Sequence, residues 1–397
     1  MLAKRMDNFS QSATSAVVAR VAELRAQGIN IIGLNVGEPD FPTPDNIKLA
    51  GIKAIMENKT KYTAVPGIVE LRKAIAKKLQ EDNGLEYKVN EICVSVGAKQ
   101  ALFNAIMSLA EAGDEVILPI PCWVSYVDMV KIAGAKPVLV EVDNENGFAL
   151  DVEAIEKAIT PSTRAILICT PNNPSGAVIS EEKLRKIADL AVKHDLWIIA
   201  DEIYEKLIYD GEKHFSVGTI SQEVWKHTIT INGFSKAYAM TGWRIGYAAG
   251  PENLIAGMVK LQSQMTSNID AIAQYAGLEA LNGPQDTIGK MVEKFDERRK
   301  YLVARLNAMP GVKCQMPKGA FYALPDFSAL IGKKYKGKEL TSGVDISAFL
   351  LDAAHIATVA GEAFFIPNHV RFAYSNSLEN IKAAMDQMEA ALKLLED

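Results

Sequence analysis

The chain has 397 residues, 49% of them hydrophobic and 23% charged, with a formal net charge of −5. That length exceeds what a single hydrophobic core fills, so two domains are expected. The acidic balance excludes the basic surface of a nucleic-acid-binding protein, and no run reaches the roughly 18–20 apolar residues that span a bilayer. Four cysteines (Cys93, Cys122, Cys169, Cys314) lie far apart with no CxxC pair, so neither a zinc site nor a disulfide framework is indicated. Buried thiols in a reducing cytoplasm are the expectation, and the N-terminal MLAKRMDNFSQSATSAVVARVAEL lacks the continuous apolar core of a signal peptide.

In chain order, the first 45 residues end in the turn-rich NVGEPDFPTP and are assigned to the smaller domain. Residues 46–285 carry alternating strand and helix patterns. Apolar runs predict strands at ICVSV (92–96), EVILPI (115–120), KPVLVEV (136–142), RAILICT (164–170), LWIIAD (196–201), TITING (228–233) and RIGYAAG (244–250). Between the first two, AKQALFNAIMSLAEAG places Ala101, Leu102, Ala105, Ile106 and Leu109 on one helical face and stops at Gly113. SEEKLRKIADLAVKHD opens with Ser180 as N-cap, has acids in its first turn, and groups Leu184, Ile187, Ala188 and Ala191. The fold class this predicts is α/β: a large domain with a mostly parallel, mixed seven-stranded sheet sandwiched by helices. From residue 286 to 397 the pattern changes to a charged helix, GAFYALPDF, a further helix, a short VRFAYS strand and a terminal amphipathic helix, a smaller α+β domain.

Ligands of open α/β sheets bind beyond the carboxyl ends of the strands, so the polar residues there carry the chemistry. SVGAKQAL puts the N–H groups of Gly97, Ala98 and Lys99 at a helix start, suited to a phosphate, although glycine is common at any such turn. LWIIADEIYE ends a buried strand in Asp201, which either caps a helix or meets a cationic ring nitrogen, with Tyr204 nearby. TPNNPSG is either a plain turn or a positioned side-chain amide. NGFSKAYAMTGWRIGY sets Lys236 and Arg244 among aromatic and small residues. Singly, each has a bland reading, a snorkelling lysine or a structural ion pair. Together they offer a desolvated amine able to attack a carbonyl and a guanidinium fork for a phosphate. With Trp123 (PCWVSY) as an aromatic plane, the set describes pyridoxal phosphate.

The chain resembles a fold-type I, class I aminotransferase of the bacterial aspartate aminotransferase branch, through NVGEPDF, KYTAVPGIVELR, SVGAKQAL, PCWVSY, TPNNPSG, ADEIYE, NGFSKAYAMTGWRIGY and HVRFAYS in order. The resemblance implies a Schiff base on Lys236, which then moves the proton between Cα and the cofactor, and Asp201 at the pyridine nitrogen. It places Asn173 and Tyr204 at the phenolic oxygen and Trp123 against the ring. The phosphate is expected to be held by Ser235, Arg244 and the amides of Gly97, Ala98 and Lys99, with Tyr62 arriving from the second subunit of a homodimer. Arg371 is expected to pair with the substrate α-carboxylate, with Gly37, Asn173 and Trp123 lining the substrate pocket and Lys99 facing a distal carboxylate. Aspartate and 2-oxoglutarate are the expected substrates in a ping-pong exchange. Aromatic or prephenate-type substrates, a broad specificity, and a β-lyase on the same residues are the alternatives. Two departures stand out: Gly233 occupies a position where the family often has alanine or a hydroxyl, and Val359-Ala360-Gly361 replaces V-P-G, which is expected to loosen the approach to Arg371.

Overall fold

A computed structural model describes residues 2–9 and 13–397. Met1 and residues 10–12, part of the N-terminal segment assigned above to the small domain, lie outside the described residues.

The seven expected strands form at Ile92–Ser95, Glu115–Ile120, Lys136–Glu141, Thr163–Cys169, Trp197–Asp201, Thr228–Gly233 and Gly246–Ala249. They make one sheet, whose order from one edge is 92–95, 246–249, 228–233, 197–201, 163–169, 115–120, 136–141. All neighbours are parallel except Gly246–Ala249, which runs antiparallel to both strands beside it. Unbroken Val, Ile and Leu runs belong in a sheet covered on both faces, and Thr228–Gly233 and Ile92–Ser95 are buried at every position. The edge strand Lys136–Glu141 instead exposes Lys136, Leu139 and Glu141. Charge on an edge discourages pairing with another chain.

The helices read from their periodicity pack as expected, with one boundary corrected. Gly97–Leu109 buries Ala101, Leu102, Ala105, Ile106 and Leu109, but it ends at Leu109 and not at Gly113. Ala110 is extended there, and the Asp114 carboxylate accepts the Glu111 N–H at 3.0 Å, closing a separate turn before the next strand. Glu181–Lys193 starts at Ser180, whose hydroxyl accepts the Lys183 N–H at 3.4 Å. Leu184, Ile187, Ala188 and Ala191 are all buried against the sheet. Each fully buried Leu or Ile of this kind contributes about 1.5–3 kcal/mol.

Beyond the long helix Asp286–Asn307, a three-stranded antiparallel sheet joins Val359–Ala360, Val370–Ala373 and Tyr322–Ala323. Its register sets Val359 opposite Arg371 and Tyr322 opposite Ala373. Ile32–Gly33 runs parallel to Ile356–Ala357, so the N-terminal segment is paired with the C-terminal third. Arg298 grips Asp40 through two bonds of 2.7 and 2.9 Å, and Arg299 grips Asp210 at 2.7 and 2.8 Å. These bidentate pairs tie the long helix to the segment before the first sheet strand and to the loop after Asp201. One core runs through both sheets, with Leu118, Leu167 and Ile231 in the same cluster as Phe321, Leu350 and Phe372. No helix among the described residues is long and apolar enough to cross a membrane.

Candidate active site

Three parallel strands end together, at Cys169, Asp201 and Gly233, and a cavity of about 480 Å³ opens beyond them. Of the residues singled out from the sequence, Gly37, Ala98, Lys99, Trp123, Asn173, Asp201, Tyr204, Ser235, Lys236, Arg244 and Arg371 line it. Gly97 does not line the cavity but lies directly beneath it. A Cβ on Gly97 would stand 2.5 Å from Nη2 of Arg244, so glycine lets the guanidinium close onto the helix start. Tyr62 is not brought in by its own chain and stands 91% exposed.

One end of the cavity is built for an anion. Helix Gly97–Leu109 begins at Val96, which supplies no side-chain cap, so its first N–H groups are offered outward. Arg244 sits beside them in the left-handed region (φ +54°), anchored by a 2.8 Å bond from Nη1 to the Thr241 carbonyl. Ser235 lines the same cavity. Gly233 has a packing reason of its own: a Cβ there would come 2.9 Å from the Cα of Gly246 on the antiparallel neighbour.

Asp201 is 3% exposed. It caps no helix; its Oδ2 accepts the Tyr126 hydroxyl at 2.6 Å and its Oδ1 the Ile203 N–H at 3.2 Å. Burial pushes its carboxyl up to about 6, against the pull of those two donors and of Lys236. The turn that follows is rigid. Glu205 pairs with Lys78 and accepts from Asn83 at 2.5 Å, while Glu202 accepts from Ser216 at 2.7 Å and meets His214 at 2.9 Å. Burial pushes Glu205 up, but Lys78 and then His214 outweigh it and leave the carboxyl down at about 2.

Lys236 reaches across the cavity from the turn after Thr228–Gly233. Its amine donates to the Gly37 carbonyl at 2.6 Å and lies 5.9 Å from the Tyr204 ring and 5.8 Å from the Phe321 ring. Burial lowers its pKa to about 8, Arg244 and Arg371 push the same way, and Glu38 and Asp201 resist. A tenth or so of such an amine is neutral at pH 7, against far less than a hundredth for an ordinary lysine.

Arg371 is 2% exposed and has no carboxylate partner among the described residues. Nη1 donates to Asn173 Oδ1 at 2.9 Å and Nη2 to the Asn35 carbonyl at 2.7 Å, while Nε is buried without a partner. Two of its five N–H groups are thereby used and three remain for a ligand. A guanidinium desolvated without a counter-ion is costly, and an incoming carboxylate removes that cost. The Val359–Ala360 strand pairs in regular register against Arg371, so the Ala360 variation leaves this edge of the site formed.

The sequence reading missed Asn35, Val36, Leu102, Tyr126, Ile203 and Tyr322, which also line the cavity. Tyr126 and Tyr322 lie within PCWVSY and GAFYALPDF, where a tyrosine in an apolar stretch signals a hydroxyl that needs a buried partner. The residues present suit pyridoxal phosphate. An N–H and guanidinium cradle, a buried carboxylate, a low-pKa amine and an indole ring all line the one cavity. Trp123 itself stands edge-on to Tyr126, 5.4 Å between centroids, with the Lys99 ammonium 4.8 Å from its ring.

A family model for aminotransferases of class I and II matches residues 29–388. The chain is 44% identical to an aspartate aminotransferase of Bacillus sp. (strain YM-2), over 99% of each protein. It is also 44% identical to a probable aspartate/prephenate aminotransferase of Aquifex aeolicus (strain VF5), over 99% of this chain and 98% of that one. The crystal structure of the aspartate aminotransferase of Rhizobium meliloti superposes over the whole of both chains, with a TM-score of 0.96 at 43% identity.

Proposed function

The chain belongs to the class I and II aminotransferases, and on that premise we propose that it exchanges nitrogen between aspartate and 2-oxoglutarate. It is an enzyme of the pyridoxal phosphate family, acting on amino acids and 2-oxo acids. The observation that carries the reading is the meeting, in one cavity, of a low-pKa amine with two arginines that have no carboxylate partner. Bound there, pyridoxal phosphate supplies an electrophilic carbon and a ring that accepts the electron pair left when a Cα–H bond breaks.

In this assignment Arg244, Ser235 and the N–H groups from Gly97 to Lys99 hold the phosphate. Asp201 would keep a proton on the ring nitrogen, and its burial strengthens that pairing. Tyr204 and Asn173 donate to the phenolic oxygen, and Trp123 covers the ring. Arg371 takes the α-carboxylate on its remaining N–H groups, which fixes the direction of the Cα–H bond. Lys236, as a neutral amine, would take the proton from Cα and deliver it to the cofactor carbon on the far side of the shared nitrogen, as a base with a pKa near 8 can do at neutral pH. Lys99, whose pKa is lowered by burial and by Arg244, faces the distal carboxylate of aspartate or glutamate.

The apolar lining of Val36, Leu102 and Trp123 favours a second reading, in which the same pocket also admits a prephenate-like side chain. One experiment addresses both. The purified protein, loaded with the cofactor, is mixed with single amino acids, and the aldehyde form's visible absorption is followed. Aspartate and glutamate are expected to bleach it and 2-oxoglutarate to restore it. A colourless protein that takes up no cofactor, or a spectrum unmoved by any amino acid, overturns the function. Bleaching by phenylalanine or the amino acid derived from prephenate as well as by aspartate would establish the second reading, and bleaching by them without aspartate would overturn the aspartate assignment.

The working unit in this proposal is a homodimer. Helix Asp45–Met56 exposes Leu49, Ile52, Ile55 and Met56, the last 77% exposed, and Tyr62 and Val69 are exposed further along the chain. A surface of this kind is covered by another chain in a stable protein, and a second copy would carry its Tyr62 to the first copy's phosphate cradle. Light scattering is expected to give twice the chain mass of 43.2 kDa. Fully active monomers would refute it. All four cysteines are free and buried, in keeping with a reducing cytoplasm as the compartment.

A further inference from the structure

Tyr322 belongs to no motif used so far, yet it touches three parts of the site at once. Its hydroxyl lies 2.8 Å from that of Tyr204. Its ring lies 4.6 Å from the Arg371 guanidinium, and its strand pairs with the strand that carries Arg371. It is 1% exposed. Gly37 is shaped around it, since a Cβ at position 37 would collide with the Tyr322 hydroxyl. A tyrosine so enclosed cannot turn its oxygen elsewhere.

We infer that Tyr322 is a positioning residue for the proposed reaction, one whose hydroxyl sets the direction in which Tyr204 offers its hydrogen. The inference rests on the assignment of Tyr204 to the cofactor's phenolic oxygen. Two phenols that share one hydrogen bond can place only one hydrogen between them. Either phenol can be the donor of that bond, and the Arg371 guanidinium beside the Tyr322 ring favours the arrangement in which the Tyr204 hydrogen lies between them. When an oxyanion stands on the far side of Tyr204, that hydrogen turns toward it, and Tyr322 must then donate in its place. The result is a directed chain, Tyr322 to Tyr204 to the oxyanion, in which each bond strengthens the next. Because Tyr322 and Arg371 share one small sheet, the strand that carries the first donor of that chain is hydrogen-bonded to the strand that receives a substrate carboxylate.

The measurement is the pH midpoint at which the bound cofactor's visible absorption changes, in the intact loaded protein. Tyr204 stabilises the oxyanion, so Y204F should raise that midpoint. Y322F removes one oxygen and keeps the ring, and should raise it in the same direction by a smaller step, about 0.3 pH unit. The Y204F/Y322F double variant should match Y204F alone, because without Tyr204 the chain has no route to the cofactor. Incorporating 3-fluorotyrosine at position 322, a stronger donor of the same shape, should lower the midpoint, and this arm stands even if Y322F does not fold. A midpoint unmoved by either change at 322, or single effects that simply add in the double variant, overturns the inference while leaving the function intact. Failure of the wild-type protein to take up the cofactor would instead strike the function, and the inference with it.

Discussion

Lys236→Ala is expected to abolish transamination and to leave no cofactor fixed to the polypeptide after borohydride treatment. Among the residues lining the cavity, the one other lysine is Lys99, at the helix start beside Trp123, and it takes no part in covalent attachment in this assignment. Loss of the proton transfer alone costs roughly 10²–10⁴-fold in rate, and loss of the attachment adds to that. The same amine sets a pH dependence. Burial lowers its pKa to about 8, and only the neutral form attacks an aldehyde, so cofactor uptake by the cofactor-free protein should accelerate as pH rises through about 8 and level off above it. The sign for stability follows. Between about 8 and the ordinary lysine value of about 10.4 the unfolded chain binds more protons than the folded one, so this group penalises the fold below that window. The penalty fades as pH rises through it. Cofactor-free K236A should therefore melt no lower than wild type at pH 7, which separates lost chemistry from lost structure. A variant that retains a borohydride-fixed cofactor and normal turnover would refute the role of Lys236.

Arg371→Ala should weaken the amino-acid half-reaction by about 2–5 kcal/mol, or roughly 30-fold to several thousand-fold in kcat/KM, as for a buried charge pair that loses one partner. The substrate carboxylate would enter a desolvated pocket with no fork to meet it, and Asn173 Oδ1 and the Asn35 carbonyl would lose their donor as well. Arg371→Lys should recover only part of the loss, because a point charge cannot make the paired contacts of a guanidinium. Cofactor uptake should survive both changes, since Arg371 stands apart from the Arg244 cradle. Half-reaction kinetics that match wild type would remove Arg371 from its assigned place.

The packing around these two cations also accounts for what the chain disclosed before folding. Strand identity was legible because a sheet covered on both faces demands long apolar runs, and the polar residues that break them at Asp201 and Asn173 therefore stood out. Lys236 stood out for a related reason, a charge among Gly, Phe, Ala and Tyr that water cannot serve. Helix ends were less legible: the stop at Leu109 and not Gly113 goes with a local turn in which the Asp114 carboxylate takes the Glu111 N–H.

By itself the sequence determined the strand and helix types and the family, and it singled out the cations and carboxylate that the proposal puts to work. Only the tertiary structure decided that Tyr126 holds Asp201, that Tyr322 meets Tyr204 and lies against Arg371, and that Gly37 and Gly97 leave room for a hydroxyl and a guanidinium. The physical reason is sequence distance. Tyr126 is 75 residues from its partner and Tyr322 is 118 from its own, and no local periodicity records a contact between elements that meet only when the chain has packed.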